Sequence, residues 1–285
     1  MIEKWGYIDK TGRFVINPNF DNGGRFSEGL AGVRIGKKWG YIDEKGKFVI
    51  NPQFDRAWHF SEGLAAIEIN FKWGFIDRSG KFVIEPKFEK AWHFKDSLAA
   101  VKLNEKWGFI NFRGEFVIEP KFDFAWAFNE GAAAVEVNKK WGFIDKTGNF
   151  LIEPQFDYAY IFSEGLAPIK INYKVGFINK SGETVIKPQF SASRHFSEGM
   201  ALVRVAEKWG FINHNGEFVI NPQFYNAWDF SEGIAAVNIG GEKKERWGFI
   251  DKKGNLVINP IFDYAYSFSE GLALVCVRFE GKKYK

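Results

Sequence analysis

Cysteine is nearly missing from this chain. Cys276 stands alone, so no intramolecular disulfide can form and the fold must be held by packing. Methionine, the flexible filler of cores, occurs only 2 times in 285 residues. No apolar run reaches the roughly 18 residues of a membrane span, and the start, Met1-Ile2-Glu3-Lys4-Trp5-Gly6, lacks the apolar stretch of a signal peptide. An excess of one charge is missing too, because 39 Lys and Arg face 35 Asp and Glu, too small a margin for a strong grip on phosphates. The expectation is a cytoplasmic protein with neither a membrane nor a nucleic-acid partner.

What abounds is aromatic: 32 Phe, 11 Trp and 9 Tyr make 18% of the chain, and they predict a rigid, ring-rich core. The 30 Gly and 9 Pro alongside them point to tight turns between short strands rather than to long helices. An internal repeat then decides the architecture. Trp-Gly recurs at 5, 39, 73, 107, 141, 209 and 247, and Val175-Gly176 fills the vacancy. The step is 34 residues except for 38 at the last, where Gly240 to Glu245 read as a lengthened turn.

Eight copies therefore span residues 1–285 as a single repeat domain. The Trp-Gly pairs, the Pro at 18, 52, 86, 120, 154, 188, 222 and 260, and the signature Phe-Ser-Glu-Gly, as at 60–63, resemble the bacterial WG (or KWG) repeat family. Departures are Val175 for Trp, Phe94-Lys95-Asp96-Ser97, and Phe128-Asn129-Glu130-Gly131. The resemblance implies a β-rich repeat and no particular activity.

Each unit reads as a strand meander. Leu64 to Ile69 alternates with the two-residue period of a strand, putting Ala65, Ile67 and Ile69 on one face and Leu64, Ala66 and Glu68 on the other. Trp73 to Asp77 and Lys81 to Ile84 follow as further strands. Asp77-Arg78-Ser79-Gly80 joins them with the chemistry of a type I turn. Pro86 ends the third strand, since it cannot donate to a ladder. Phe88 to Phe94 reads as a short fourth strand or a crossing loop.

Such a unit cannot hide its aromatic face alone and must stack on its neighbours. The chain starts with the second strand of a unit and finishes with the first, Leu272 to Val277, so the last strand supplies the partner that the first unit lacks. The reading is all-β, a closed eight-bladed β-propeller whose C-terminal strand completes the N-terminal blade, with a curved β-solenoid as the alternative. At 34 residues the blades are short beside the 40–45 of a four-stranded WD-type blade, and they are three-stranded if Phe88 to Phe94 is a loop.

Nothing in the repeat suggests catalysis. His59, His93 and His195 share one phase, fall on different blades and, like His214 in its turn, read as surface histidines with no metal. Glu28, Glu62, Asp96 and their five counterparts read as turn residues that, with the Ser, cap backbone N–H groups before the Gly. The Lys before each Trp-Gly is expected to be neutralised by acids such as Asp9, Asp43 and Asp77. No cofactor is expected.

The variable positions carry the functional reading. The candidate surface for a protein or glycan comprises Trp58, Trp92, Phe124, Trp126, Tyr158, Tyr160, Trp228, Tyr264 and Tyr266. A second row, Arg34, Glu68, Lys102, Glu136, Lys170 and Arg204, is the candidate channel wall, because the first strand of a propeller blade usually lines the axis. The expected function is a non-enzymatic protein-interaction scaffold, with a carbohydrate-binding module as the alternative.

Overall fold

The computed structural model describes residues 2–240 and 246–279. Every regular element among them is a strand, and the strands form eight four-stranded antiparallel sheets that stand as blades around one axis. The chain is an eight-bladed β-propeller. Blades are numbered here by their inner strands, which begin at Asn22, Arg56, Lys90, Phe124, Tyr158, Ala192, Asn226 and Tyr264. No helix is long and apolar enough to cross a membrane among these residues. Gly241 to Glu245 and Gly281 to Tyr284, which figured in the sequence reading, lie outside them.

Blade 2 shows the plan. Inner strand Arg56–Ala57 pairs with Ala65–Ile69, which pairs with Lys72–Ile76, which pairs with the outer strand Phe82–Phe88. The blade is thus four-stranded, not three. A 34-residue unit manages this because its inner strand is two residues long in six of the blades. Asn70 and Phe71, at φ 49° and 63°, form a two-residue hairpin turn of the kind whose twist matches that of the strands. At the other end Gly80 N donates to Asp77 O at 3.0 Å, closing the expected type I turn. Asp77 Oδ1 accepts from the backbone N of Ser79 and of Lys81.

The Trp-Gly signature has a steric cause. Ile84 pairs with Phe75 and Phe88 with Trp73, so four steps on the outer strand answer two on its partner. The surplus folds the chain onto Gly74, where a Cβ would stand 2.5 Å from Ile84 O and 2.7 Å from Pro86 N. All eight copies show this contact, so only glycine fits. Pro86 sits on the outermost strand, where the lost N–H costs no ladder bond.

Blades pack face to face through eight hydrophobic clusters, one per interface. Trp73, Phe75, Ile84 and Phe88 of blade 2 meet Ala91, Phe94, Ala99 and Val101 of blade 3. Large rings on one face thus settle among small residues and the single ring of Phe94 on the next. The ring closes through the sheet that mixes both chain ends: Ile2–Ile8 pairs along its length with Ala273–Phe279, in the order outer Phe14–Phe20, Ile2–Ile8, Ala273–Phe279 and inner Tyr264–Ala265. Its cluster, with Tyr7 and Leu274 against Phe26 and Val33, is built like the other seven, and the solenoid alternative falls away.

Two hydrogen-bond belts run around the face that carries the Ser-Glu-Gly turns. The turn acid does not cap its own loop. Glu28 accepts from Gly63 N, Glu62 from Ser97 N, Glu198 from Gly233 N, and Glu270 closes the circle on the N of Glu28 and of Gly29. The Ser likewise reaches forward, Ser61 Oγ donating to Phe94 O and Ser269 Oγ to Phe26 O, each at 2.7 Å. Asn129 substitutes by donating through Nδ2 to Phe162 O. The signature is therefore a clasp between neighbours, and it holds the acid itself at positive φ, as at 54° for Glu62.

Candidate functional site

All eight blades send the same short segment, the one that follows the inner strand, to a single central chamber of about 840 Å³. Its walls come in layers along the axis. Nearest the hairpin face lies a collar formed by Trp58, Trp92, Trp126, Tyr160, Arg194, Trp228 and Tyr266, with Gly24 leaving a gap at blade 1. The next layer holds Arg25, His59, His93, Ala127, Ile161, His195, Asp229 and Ser267. Below it Ser61 and Asn129 of the clasp, with Lys95 at the same position of blade 3, complete the wall.

The collar rings touch their neighbours around the circle. Trp58 to Trp92, Trp92 to Trp126 and Trp126 to Tyr160 have centroids 5.6, 5.2 and 5.0 Å apart. Arg194 then lies 4.5 Å over Trp228, a cation–π contact, and Trp228 meets Tyr266 at 5.2 Å. Several collar faces are already covered by a Trp of the Trp-Gly row. Trp92 stacks on Trp107 at 14° and Trp58 on Trp73 at 26°. Trp58, at 39% exposed, offers the chamber more than its half-buried fellows do. Phe124 and Tyr158 sit one step nearer the hairpins and lean on Trp141, while Tyr264 leans on Trp247 and Trp5.

The second layer divides by chemistry. On one side Arg25 donates to His59 Nε2 at 2.8 Å, which fixes His59 as the neutral acceptor, and the His59 and His93 rings lie 4.7 Å apart. Arg25 has no carboxylate within ion-pair distance among the described residues. Burial, and then the Arg25 charge, hold both imidazoles below the ordinary histidine value, His93 at about 4. Across the chamber Arg194 Nε donates to Asp229 Oδ2 at 2.8 Å, and His195 stands 4.0 Å from the same oxygen. Burial lowers His195 as well, against the pull of Asp229. Between these polar arcs lie Ala127 and Ile161. Among the described residues no group of three or more His, Cys, Asp and Glu is placed to hold a metal.

Several sequence expectations need correction. His59, His93 and His195 are not surface histidines but chamber residues, because successive blades that diverge at the rim converge at the axis. His214 stacks on Phe196 at 4.2 Å and pairs with Glu164. Arg34, Glu68, Lys102, Glu136, Lys170 and Arg204 do not line the chamber; the short inner strand comes between. Glu68 is buried behind Arg56, whose Nε is 3.2 Å from Glu68 Oε2, and Arg34 donates to Asp21 O. In five copies the cation before Trp-Gly pairs with the acid that follows the outer strand, as Lys4 with Asp21 and Lys38 with Asp55 at 2.6 Å each, and not with Asp9, Asp43 or Asp77, which serve their own turns. Two exposed aromatics went unnoticed in the sequence, Phe71 at 88% and Tyr173 at 86%, both at hairpin tips. Their signal was an aromatic where other copies carry Lys or Glu.

The family of WG-containing repeats matches eight stretches, residues 5–39, 39–73, 73–107, 107–141, 141–174, 176–209, 209–242 and 247–282. This chain belongs to the WG-repeat family. No curated protein matches it in sequence. Solved structures resemble it in fold alone. A eukaryotic initiation factor aligns at TM-score 0.55 and 12% identity over 85% of this chain and 78% of its own. Hsv2p of Kluyveromyces lactis aligns at 0.54 and 8% over 81% and 92%, and the C-terminal WD40 domain of Sif2 at 0.51 and 8% over 88% and 90%. The WG chain thus shares the propeller of WD40 proteins at sequence distances where only the architecture is common.

Proposed function

We propose that this WG-repeat chain is a non-enzymatic scaffold that receives a protein partner at its central chamber. One observation carries the reading. Positions with the same residue in nearly every copy are spent on turns, blade contacts and clasps, whereas the position that varies most, Arg25 through Ser267, converges with an aromatic collar on one chamber. Half-buried rings around a concave pocket, with arginines beside them, are the composition of protein interaction hot spots. A sugar platform needs a broad open ring face, and the stacking of Trp92 on Trp107 and of Trp58 on Trp73 covers one face of each ring. The protein reading is therefore preferred to the glycan one.

Affinity capture from lysate with the wild type and Trp126→Ala, alongside a glycan array, tests it. The expected result is a protein retained by the wild type, lost with Trp126→Ala and kept by the rim variant Glu44→Ala. Saturable sugar binding that Trp126→Ala abolishes would overturn the reading, and so would capture indifferent to the chamber.

A further inference from the structure

Four departures from the repeat meet at one place. Val175 is alone in the Trp-Gly row in not being Trp, and Arg194 stands where the collar is otherwise aromatic or Gly. Ser193 takes a position that six copies give to Ala, and Pro168 one where Ala66, Ala100, Ala134 and Ala236 sit. With Tyr158 and Tyr160 these four line a recess of about 180 Å³ between blades 5 and 6. Tyr160 and Arg194 belong also to the chamber wall, so the recess adjoins the chamber.

The recess exists because one ring is missing and the side chain facing it is small. At three other interfaces the Trp of one blade rests on an aromatic of the next, Trp107 on Phe124 and Trp141 on Tyr158 at 5.1 Å and Trp247 on Tyr264 at 4.7 Å, and the remaining copies carry Asn22, Arg56, Lys90 and Asn226 there. Between blades 5 and 6 the corresponding pair is Val175 and Ala192. An apolar cavity of roughly 150 Å³ takes up one benzene ring, so this one has room for a single aromatic side chain. Its polar edge is prepared. The Arg194 guanidinium is fixed by Asp229 and Trp228, with its terminal nitrogens bonded to no described residue. Ser193 Oγ is buried without a hydrogen-bond partner among the described residues.

We infer that this recess receives the aromatic side chain of the protein partner, whose adjoining backbone carbonyl meets the free donors of Arg194 and Ser193. The inference rests on the chamber being the partner's site and adds the class of residue that anchors it. A ring entering here takes the space that the repeat gives to Trp, and the anchor is stacked by Tyr158 and Tyr160, as hot-spot aromatics are.

The test uses the full chain and N-acetyl-L-tryptophanamide, followed by calorimetry and ligand-observed NMR. The expected result is saturable binding at about millimolar affinity, at least tenfold weaker for N-acetyl-L-leucinamide. Val175→Trp restores the repeat and is expected to unfold no earlier than the wild type yet weaken the tryptophan amide at least tenfold. Ala192→Phe fills the same space from the other blade and keeps the test valid if Val175→Trp does not fold. Absence of saturation in the wild type, or unchanged binding in a folded filled variant, overturns the inference. So does a captured partner that Val175→Trp retains while Trp126→Ala loses it, and that outcome leaves the scaffold reading standing. Amide binding sensitive to Val175→Trp, with no protein captured at all, would instead remove the scaffold reading and keep the recess as an aromatic site.

Discussion

The Ser-Glu-Gly face and the chamber wall are made by neighbouring residues of the same segment, yet they follow opposite rules. On the face, residue type and partner recur from blade to blade, and even the substitutes Asn129 and Asp96 make the expected bond to the next blade. Three residues earlier, at the wall, the residue changes from Arg to His to Ala to Ile to Asp around the circle. A clasp between neighbours tolerates little local novelty, because each link is also its neighbour's, and Lys95 is a departure that makes no such side-chain bond among the described residues. A wall that faces solvent-filled space bonds nothing in common and is free to differ. The lesson is that regularity marks the scaffold and irregularity marks the site.

The sharpest way to break the regular region is to cut the circle. Truncation after Gly271 removes the strand Ala273–Phe279 that pairs with Ile2–Ile8 and one side of the closing core cluster. Two blade faces and two edges are then exposed together. The expected outcome is loss of cooperative unfolding by circular dichroism at 25 °C. A truncated chain with the parent's urea midpoint would show the ring to be dispensable.

Next in size is the interface ring. Trp107, buried between blades 3 and 4, contacts Trp92 and Phe124, and Trp107→Ala should cost ~3–5 kcal/mol in urea unfolding. Gly108→Ala should cost about 3 kcal/mol or more, since its Cβ would meet Ile118 O at 2.6 Å and backbone does not yield. Gly131→Ala is the contrast. Its Cβ meets nothing within 4 Å, so only the φ of +81° is strained, at a cost of ~1 kcal/mol. Equal losses for the two glycines would refute the close-approach account of Trp-Gly.

Acid separates the two regions by pH. His59, His93 and His195 are held down chiefly by burial, while an unfolded chain protonates its histidines near ~6.5. Their contribution is complete above that pH and is lost as pH falls through the window toward the folded value, about 4 for His93, because there the unfolded state binds more protons. On the Ser-Glu-Gly face, the Thr11 and Ser79 hydroxyls hold Asp9 and Asp77 below the ordinary aspartate value, so those carboxylates enter the slope only from about pH 5 downward. Stability should therefore decline from about pH 6.5 to about 5.5 chiefly through the chamber, before carboxylates held low, such as Glu232, join below that. The double variant His59→Asn, His93→Asn should flatten that slope in urea titrations; an unchanged slope would place its origin elsewhere.

Much of this was legible in the sequence because it is local or periodic. The strand alternation from Leu64 to Ile69 and the Asp77 to Gly80 turn follow from residues near one another in the chain, and the out-of-phase ends follow from the repeat period. What was not legible depends on radius. His59 and His93 are 34 residues apart and on separate blades, which suggests distance, but blades converge toward the axis and the rings stand 4.7 Å apart. The same geometry hid the clasp: Glu62 has its own Gly63 beside it in sequence, yet the N–H it satisfies belongs to Ser97 of the next blade. The channel row erred for a different reason. An inner strand of two residues, Arg56–Ala57, has too little periodicity to announce itself, and it displaces Glu68 from the axis.

The smallest effect concerns the rim, where the regular region meets water. Lys106 Nζ stands 2.6 Å from Asp123 Oδ1, with the side chains 48% and 37% exposed. Exposed pairs of this kind are worth ~0–1 kcal/mol and are screened by salt, so Lys106→Met should shift stability by less than about 0.5 kcal/mol at physiological ionic strength. Asp123 has a second duty, since its Oδ2 accepts from Asn138 N at 2.8 Å in the hairpin turn at positive φ. Asp123→Ala should therefore cost more than Lys106→Met, by about 1 kcal/mol, the usual value of such a capping bond. If the two variants lose the same amount, the pair acts through its charge; if Asp123→Ala alone is costly, the carboxylate at the rim serves the turn first and the lysine second.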